Sequence, residues 1–238
     1  MIYLLASIFL LMWSLFIITI LRNKRLNGFY FKGMSSLMFI AIFAYGVFSF
    51  INKYGNEFTG IFLERKEVFH FLLIGMGLVA GLLGDLFLEV QYFYPEQKHY
   101  QILNGMIAFS VGHLFYISSI WILVGFQVWS IILGVVMMGV IYFGSKLMKI
   151  DFGNLWFMTY LYTFIIFTMV GMSVNQAIEL NLNGFSVTFM IGAILFGISD
   201  LLLAPIYFKN ETSKLFVIGN LATYYLGQGL IAISIMFL

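Results

Sequence analysis

The sequence predicts an all-α membrane protein with eight transmembrane helices. Of its 238 residues, 62% are hydrophobic and only 9% are charged, whereas ordinary soluble domains have about 25% charged residues. The mean hydropathy is +1.01. A soluble fold of this size cannot hide so much apolar surface, but a bilayer can accommodate it. No long stretch alternates with a period of two, so a transmembrane β-barrel is not expected.

Eight apolar segments of about 20 residues or more are each long enough to cross a bilayer as a helix. They cover residues 1–21, 30–51, 68–90, 101–123, 126–146, 154–179, 184–208 and 213–238. Positive charges follow the first segment rather than precede it, which is the reverse of a secretory signal, so we expect a retained helix. The fourth and fifth segments lie close together, and a tight turn near Gly125 must separate them.

The basic residues predict the orientation. With the N-terminus outside, the cytoplasmic segments carry more of them than the outer segments, as the positive-inside rule requires. The cytoplasmic set is Arg22, Lys24, Arg25, Lys32, Lys98, Lys146, Lys149, Lys209 and Lys214, and the outer set is Lys53, Arg65 and Lys66. We therefore expect a multi-pass protein of the cell membrane. The net charge of +2 gives no reason to expect nucleic acid, and the absence of Cys excludes disulfides, Cys-based zinc sites and thiol nucleophiles.

A short internal repeat suggests that the chain has two halves. One pair of similar motifs is Gly84-Asp85-Leu86-Phe87-Leu88 and Ser199-Asp200-Leu201-Leu202-Leu203, and the other is Val111-Gly112-His113 and Leu226-Gly227-Gln228. Both pairs are offset by 115 residues. We expect four-helix halves of about 1–123 and 124–238, related by an axis along the membrane normal as in some transporters.

Two aspartates inside predicted helices, Asp85 and Asp200, are the leading candidates for a functional site. A carboxylate in hydrocarbon costs on the order of 3 kcal/mol on insertion scales and therefore marks function by default; the alternative is a polar pair that fixes helix packing. At 1.5 Å per residue they lie roughly 8 and 12 Å from the inner helix ends, in the cytoplasmic half of the bilayer. One could act as a neutral acid and the other as an ionised base, which suits hydrolysis by a polarised water.

The histidines differ in their predicted positions. His113 lies deep in the fourth helix, on one face with Phe109 and Tyr116. It could hydrogen-bond the aspartate of the third helix, orient water or transfer protons, or it could be a packing histidine. His70 and His99 are expected to be peripheral.

Further polar residues have two interpretations each. Tyr224 and Gln228, spaced i and i+4, could bind substrate, orient an aspartate or simply join helices. Ser199 is expected to bond within its own helix rather than to act as a nucleophile. Lys32, at the start of the second helix, could extend to the surface or hold a lipid phosphate. Glu89 is expected to be a solvated interfacial acid.

The motifs together resemble the YhhN-like lysoplasmalogenase family. The likeness runs from about Lys32 to the end of the chain, with short motifs in the family's order and helix placement. They are Gly84-Asp85; Phe109, His113 and Tyr116; Gly192-Ala193-Ile194-Leu195-Phe196-Gly197-Ile198-Ser199-Asp200; and Thr223-Tyr224-Tyr225-Leu226-Gly227-Gln228. Lys32-Gly33 departs from the Lys-Pro that is frequent in the family.

This resemblance implies hydrolysis of the vinyl-ether bond of a lysoplasmalogen, without a cofactor. The products would be a fatty aldehyde and a glycerophospho-ethanolamine or -choline. Vinyl ethers hydrolyse through protonation at carbon and capture of the resulting oxocarbenium ion by water, which requires an acid, a base and a negative field. Asp85 and Asp200 could supply all three, as two carboxylates do in glycosidases; which of them is the acid stays open. The lysophospholipid would enter from the inner leaflet of the membrane lipid, with its phosphate near Lys32.

Other functions use the same residues. A metal-dependent lipid hydrolase would bind zinc through His113, Asp85 and Asp200. A proton-coupled transporter would also have parallel repeats and embedded acids. The only prolines, Pro95 and Pro205, lie near the inner helix ends, so no pair of Pro-broken helices supports transport. A purely structural protein would leave the matched aspartates unexplained.

Overall fold

A computed structural model describes residues 1–22, 24–54, 66–209 and 213–238, and within them it contains eight long α-helices. The helices are α1 (Ile2–Leu21), α2 (Arg25–Tyr54), α3 (Lys66–Val90), α4 (Lys98–Val124), α5 (Trp129–Met148), α6 (Trp156–Glu179), α7 (Gly184–Phe208) and α8 (Lys214–Ser234). Each is long and apolar enough to cross a membrane. The predicted fold class is therefore confirmed.

The second helix begins earlier than its hydropathy indicated. It starts at Arg25, so Lys32 lies about two turns inside it and only 5% of Lys32 is exposed. Near the start of α2, a Cβ on Gly28 would lie 3.3 Å from the Ile20 side chain, so the glycine lets this turn pack closely on α1. Hydropathy alone could not detect this contact, and the prediction that Lys32 begins the helix is wrong.

The turn between the fourth and fifth helices lies where the sequence placed it. Gly125 follows α4 with a φ of 81°, and its N–H donates to the carbonyl of Trp121. A positive φ is accessible to glycine at little cost, so Gly125 can end α4 and turn the chain within a few residues. In the connection between α6 and α7, the Asn183 side chain caps α7 by accepting a hydrogen bond from the Ser186 N–H.

The even-numbered helices begin at one end of the bundle, which we call the basic end. It carries Arg22, Lys24, Arg25, Lys98, Lys146, Lys149, Lys209 and Lys214. Lys32 is buried, so it is not one of the basic residues at this surface, where the sequence predicts it. At the opposite end lie Lys53 and Lys66, and Arg65 lies outside the described residues. The basic residues remain more numerous at one end, and the prediction that this end is cytoplasmic stays a prediction.

The two predicted halves make equivalent helix contacts. Within the first half, α2 packs on α1 and α3, and α3 packs on α4; α6, α5, α7 and α8 repeat this arrangement in the second. Between the halves, α2 packs on α8 as α6 packs on α4. A two-fold relation between the halves requires this pattern. We therefore retain two parallel-related halves as a proposal.

Close helix crossings recur with the same offset. A Cβ on Gly112 would lie 3.0 Å from the carbonyl oxygen of Gly77, and one on Gly227 would lie 2.8 Å from that of Gly192. Gly192 and Gly227 follow Gly77 and Gly112 by 115 residues. Small residues let helix backbones approach closely where lipid provides no hydrophobic drive for association. These crossings bring α3 against α4 and α7 against α8, and so place the helices that carry the aspartates.

Candidate active site

Both candidate aspartates line one cavity. It has a volume of about 540 Å³ and is walled by residues of α1, α2, α3, α4, α7 and α8. Asp85 and Asp200 lie on its wall, and Arg25, Lys98 and Lys214 place its mouth at the basic end. The volume falls within the range of about 300–1,000 Å³ that is usual for small-molecule sites. The cavity can therefore hold an amphiphile with a polar group beside the carboxyls.

Residues of two helices, α2 and α8, hold the carboxyl group of Asp85. Ser36 on α2 and Tyr224 on α8 donate hydrogen bonds of 2.5 and 2.6 Å to its Oδ2 atom. The Lys32 Nζ atom lies 3.5 Å from Oδ1. Two hydroxyl donors and an ammonium group are the partners that a buried carboxylate requires. Asp85, only 2% exposed, is thus fixed in position with both oxygens engaged.

Lys32 bridges two acidic residues on successive turns of α3. Its Nζ atom lies 3.4 Å from Glu89 Oε1 and 3.5 Å from Asp85 Oδ1. Glu89 is only 4% exposed, so the prediction of a solvated interfacial acid is wrong, as is that of a surface-reaching Lys32. Burial of one cation against two acids keeps all three residues in the wall of the cavity. Glu89 Oε2 is buried without a hydrogen-bond partner in the described part of the chain.

The surroundings of Asp200 are sparser. The Tyr162 hydroxyl on α6 donates a 2.8 Å hydrogen bond to its Oδ2 atom. Asp200 also borders a second, narrow pocket of about 50 Å³, which we call the apolar crevice. Residues of α3, α4, α5, α6 and α7 line the crevice, and most of them are apolar. Leu88, Phe109, Leu203 and Tyr207 line both spaces with Asp200. Asp200 therefore lies where a polar cavity meets an apolar crevice.

The environments of the two aspartates differ because Asp200 has no counterpart of the Tyr224 hydroxyl that donates to Asp85. Tyr224 has Phe109 as its counterpart 115 residues earlier, and Phe109 has no hydroxyl to donate. Both aromatic rings line the cavity, with their centroids 6.0 Å apart. Each aspartate still accepts a hydroxyl hydrogen bond from the second helix of its own half, Asp85 from Ser36 and Asp200 from Tyr162. The two carboxyl groups thus lie in different environments.

His113 does not reach the carboxyl of Asp85. It is buried, and within the described residues neither ring nitrogen has a hydrogen-bond partner. Its ring packs edge-on against Phe196 at 4.5 Å and lies 6.0 Å from the Tyr162 ring. His113 thus supports Tyr162, the donor to Asp200, through ring packing.

Tyr116 and Gln228 join two helices away from the cavity wall. The Tyr116 hydroxyl donates a 3.0 Å hydrogen bond to Gln228 Oε1 and connects α4 to α8. Gly77 faces the Tyr116 ring so closely that a Cβ there would lie 2.2 Å from it. Neither Tyr116 nor Gln228 lines the cavity. Their bond fixes α8 one helical turn beyond Tyr224.

Ser199 lines the cavity and bonds across helices rather than only within its own. The Asn220 side chain on α8 donates to the Ser199 carbonyl at 2.9 Å and to its hydroxyl at 3.0 Å. Sequence reasoning missed Asn220, Ser36 and Tyr162 because their partners are distant in the chain. The repeat could not have found Tyr162, because the residue 115 positions earlier is Val47.

The other two histidines contribute nothing to this cavity. His70 is fully buried, and its Nδ1 atom lies 2.6 Å from the Ser119 hydroxyl, so the prediction of a peripheral His70 is wrong. His99 is exposed, as expected.

The described residues do not support the zinc alternative. They contain no group of three His, Cys, Asp or Glu side chains arranged to hold a metal ion. His113, Asp85 and Asp200 in particular are not assembled as a ligand set.

The fold and the site define a class: a multi-pass α-helical membrane protein whose cavity holds two carboxyl groups from matching helices. A comparison with family models then identifies the family. The model of the YhhN family matches residues 28–235, so this chain belongs to the YhhN family. The match includes Asp85, Asp200 and the hydroxyl donors of both, and it leaves out α1. No curated protein and no solved structure matches the chain.

Proposed function

We propose that this protein is an intramembrane lysophospholipid hydrolase that cleaves the vinyl-ether bond of a lysoplasmalogen. The products are a fatty aldehyde and a glycerophospho-ethanolamine or -choline. One observation carries the proposal: Asp200 lies at the junction of a polar cavity that contains Asp85 and an apolar crevice. Membership of the YhhN family supports it.

The shape of the substrate matches this junction. A lysoplasmalogen has one polar head and one hydrocarbon chain, and the vinyl ether is the link between them. With the head in the cavity and the chain directed into the apolar crevice, the vinyl ether lies beside Asp200. Burial of the chain among apolar side chains provides a favourable free energy of about 0.8 kcal/mol per CH₂. Burial of the chain therefore positions the vinyl-ether bond by non-covalent contacts alone.

The different environments of Asp85 and Asp200 suggest which carboxyl group is the acid and which is the base. Asp200 accepts one hydroxyl hydrogen bond and acts as the neutral acid, whose proton goes to the alkenyl carbon distal to the ether oxygen. Asp85, with two hydroxyl donors and Lys32, acts as the carboxylate. Its negative charge stabilises the oxocarbenium ion, as preorganised groups do at developing charges.

Water then completes the reaction. It adds to the carbon next to the ether oxygen while Asp85 takes one of its protons, which gives a hemiacetal. The hemiacetal hydroxyl returns a proton to Asp200, the carbon–oxygen bond to glycerol breaks, and the glycerol oxygen receives the proton held by Asp85. One water is consumed and both carboxyl groups recover their starting states. The two carboxyls thus act as a glycosidase pair does on an oxocarbenium-like transition state.

Purified protein in neutral detergent tests the proposal with a lysoplasmalogen as substrate and aldehyde release as the readout. The wild type should release aldehyde, and Asp85→Asn and Asp200→Asn should each reduce the rate by at least about 100-fold, since general acid–base groups contribute about that much or more. Asp151→Asn is the matched control, because this exposed residue accepts a hydrogen bond from the Gly153 N–H at a helix start. Full activity in both membrane-embedded variants would refute the assignment. Substrate-driven proton uptake without aldehyde would indicate a transporter.

A further inference from the structure

Three basic residues that line the cavity share an unusual position. Arg25, Lys98 and Lys214 are the first residues of α2, α4 and α8, and all three helices begin at the basic end. The first turns of α2 and α8 contain no acidic residue, whereas Glu96 lies in the short 3-10 helix that leads into α4. The partial positive charge of a helix N-terminus favours acidic residues there and disfavours cations. The cavity mouth therefore concentrates positive charge from three side chains and from the N-terminal ends of α2 and α8.

The backbone at this mouth adds hydrogen-bond donors. A helix start leaves its first N–H groups without partners inside the helix. At the start of α8 no side-chain cap is formed by the described residues, whereas at the start of α4 the Lys98 N–H donates to the Pro95 carbonyl of a short 3-10 helix, Pro95–Gln97. Helix N-termini are suited to bind phosphate groups for these reasons. An anion at the mouth would therefore gain both charge and donors.

Arg25 is held in place by an aromatic ring. Its guanidinium lies 3.9 Å from the centroid of Tyr92, in the segment between α3 and α4. Burial raises the pKa of the Tyr92 phenol above its ordinary value of 10, so the ring stays neutral at physiological pH. The contact with the Tyr92 ring orients Arg25, and because the phenol is neutral it does not cancel the charge of the guanidinium. A cation–π contact also leaves guanidinium N–H groups available.

Lys32 is badly placed for the phosphate that the sequence assigned to it. Its ammonium group lies between Asp85 and Glu89. Glu89 Oε2, by contrast, is a buried acceptor on the cavity wall without a partner in the described residues. A ligand that fits must therefore offer an anion near the mouth and a hydrogen-bond donor deeper inside. A phospholipid with one chain and a free glycerol hydroxyl offers both.

We infer that Arg25, Lys98 and Lys214 form a binding site for the phosphate group of a single-chain phospholipid at the mouth of the cavity. From there the glycerol extends past Glu89 toward Asp200, and the chain enters the apolar crevice. The inference deepens the proposed function, on which the identity of the lipid rests. The phosphate site itself does not depend on hydrolysis.

Equilibrium binding to the Asp200→Asn protein tests the site without turnover. The two probes are a lysophosphatidylcholine and a monoacylglycerol of equal chain length, each titrated in neutral detergent. The triple variant Arg25→Gln, Lys98→Gln, Lys214→Gln should weaken binding of the phospholipid by about tenfold or more, since each charge-assisted bond to phosphate is strong. It should leave the affinity for monoacylglycerol unchanged.

Several controls make the result decisive. Lys209→Gln removes an exposed cation at the same end that does not line the cavity, and it should have no effect. Unchanged affinity of the triple variant for monoacylglycerol excludes a folding defect as the cause of the loss. Arg25→Lys, which keeps the positive charge, should retain most of the affinity for the phospholipid. Equal binding of both probes by the triple variant and the parent protein would overturn the inference. So would an equal loss for both probes.

Inorganic phosphate and glycerophosphocholine distinguish the source of the phosphate. Neither should displace the bound lysophospholipid at concentrations comparable to the lipid, because the chain contributes much of the affinity. Displacement by inorganic phosphate alone at such concentrations would identify a free-phosphate site and refute a lipid headgroup site. A protein that binds the phospholipid through these residues yet releases no aldehyde would keep this inference and refute the proposed hydrolysis.

Discussion

Tyr224 on the last helix donates a 2.6 Å hydrogen bond to Asp85 on the third helix. The bond joins residues 139 positions apart and links the two predicted halves at a carboxyl group. Its counterpart is missing, because Phe109 stands where the repeat would place a second tyrosine. Asp85 and Asp200 can have different chemical roles in related positions for this reason.

The hydroxyl of Tyr224 should matter for activity. Tyr224→Phe retains the ring, which packs 5.3 Å from Phe196 between centroids, and removes one donor to Asp85. A hydrogen bond to a charged group contributes about 1.5–3 kcal/mol, so the rate of aldehyde release should fall by about 10- to 100-fold. Tyr100→Phe, on an exposed tyrosine that does not line the cavity, is the control. An unchanged rate in Tyr224→Phe would show that this bond does not act in catalysis.

Loss of the buried cation should destabilise the bundle. Lys32→Met leaves Asp85 and Glu89 buried together without their shared partner, and breaking a buried pair in this way costs about 3–5 kcal/mol. Thermal unfolding in detergent should show a lower midpoint. The double variant Lys32→Met, Glu89→Gln removes one of the two acids and should recover part of the loss. A double variant no more stable than the single one would contradict this account of the site.

Small anions should distinguish the roles of the two carboxyls. Asp85→Asn retains the acid Asp200. Azide that enters the cavity can replace the missing negative charge, and it can add to the oxocarbenium ion in place of the activated water. Azide should therefore restore part of the activity of Asp85→Asn and none of that of Asp200→Asn, which lacks the proton donor. Rates of vinyl-ether loss with and without azide measure this. Rescue of Asp200→Asn alone would reverse the assignment of acid and base.

The apolar crevice should set the preference for chain length. Ala204 lines it, and Ala204→Leu adds volume to a space of about 50 Å³. Substrates with a full-length alkenyl chain should show a raised KM, whereas a substrate whose alkenyl group is a bare vinyl group should be little affected, because it does not extend from Asp200 to Ala204. Ile198→Leu, on an exposed position of the same helix, is the control. An equal change for all chain lengths would place the hydrocarbon chain elsewhere.

Hydropathy predicted the eight helices because long apolar segments in a bilayer have few alternative structures. Gly125 was identifiable as a turn for a similar local reason, since a positive φ favours glycine. The 115-residue offset also pairs Asp85 with Asp200, and both line one cavity.

Contacts between distant residues could not be predicted in the same way. Lys32 and Glu89 are 57 residues apart and form a pair that hides both from solvent. Each charge alone indicates a surface position, and only their mutual neutralisation allows burial. His70 on α3 and Ser119 on α4 are a second example, because each is the hydrogen-bond partner of the other. Local patterns carry no information about such partners.

Hydrolysis of a lysoplasmalogen in D₂O, with immediate reduction of the aldehyde to the alcohol, tests the central claim most directly. Proton transfer from a carboxyl group to carbon predicts one deuterium on the carbon next to the former aldehyde carbon in the wild-type product, and no product above background from Asp200→Asn. Aldehyde without that deuterium, or undiminished product from Asp200→Asn, would contradict carbon protonation by Asp200.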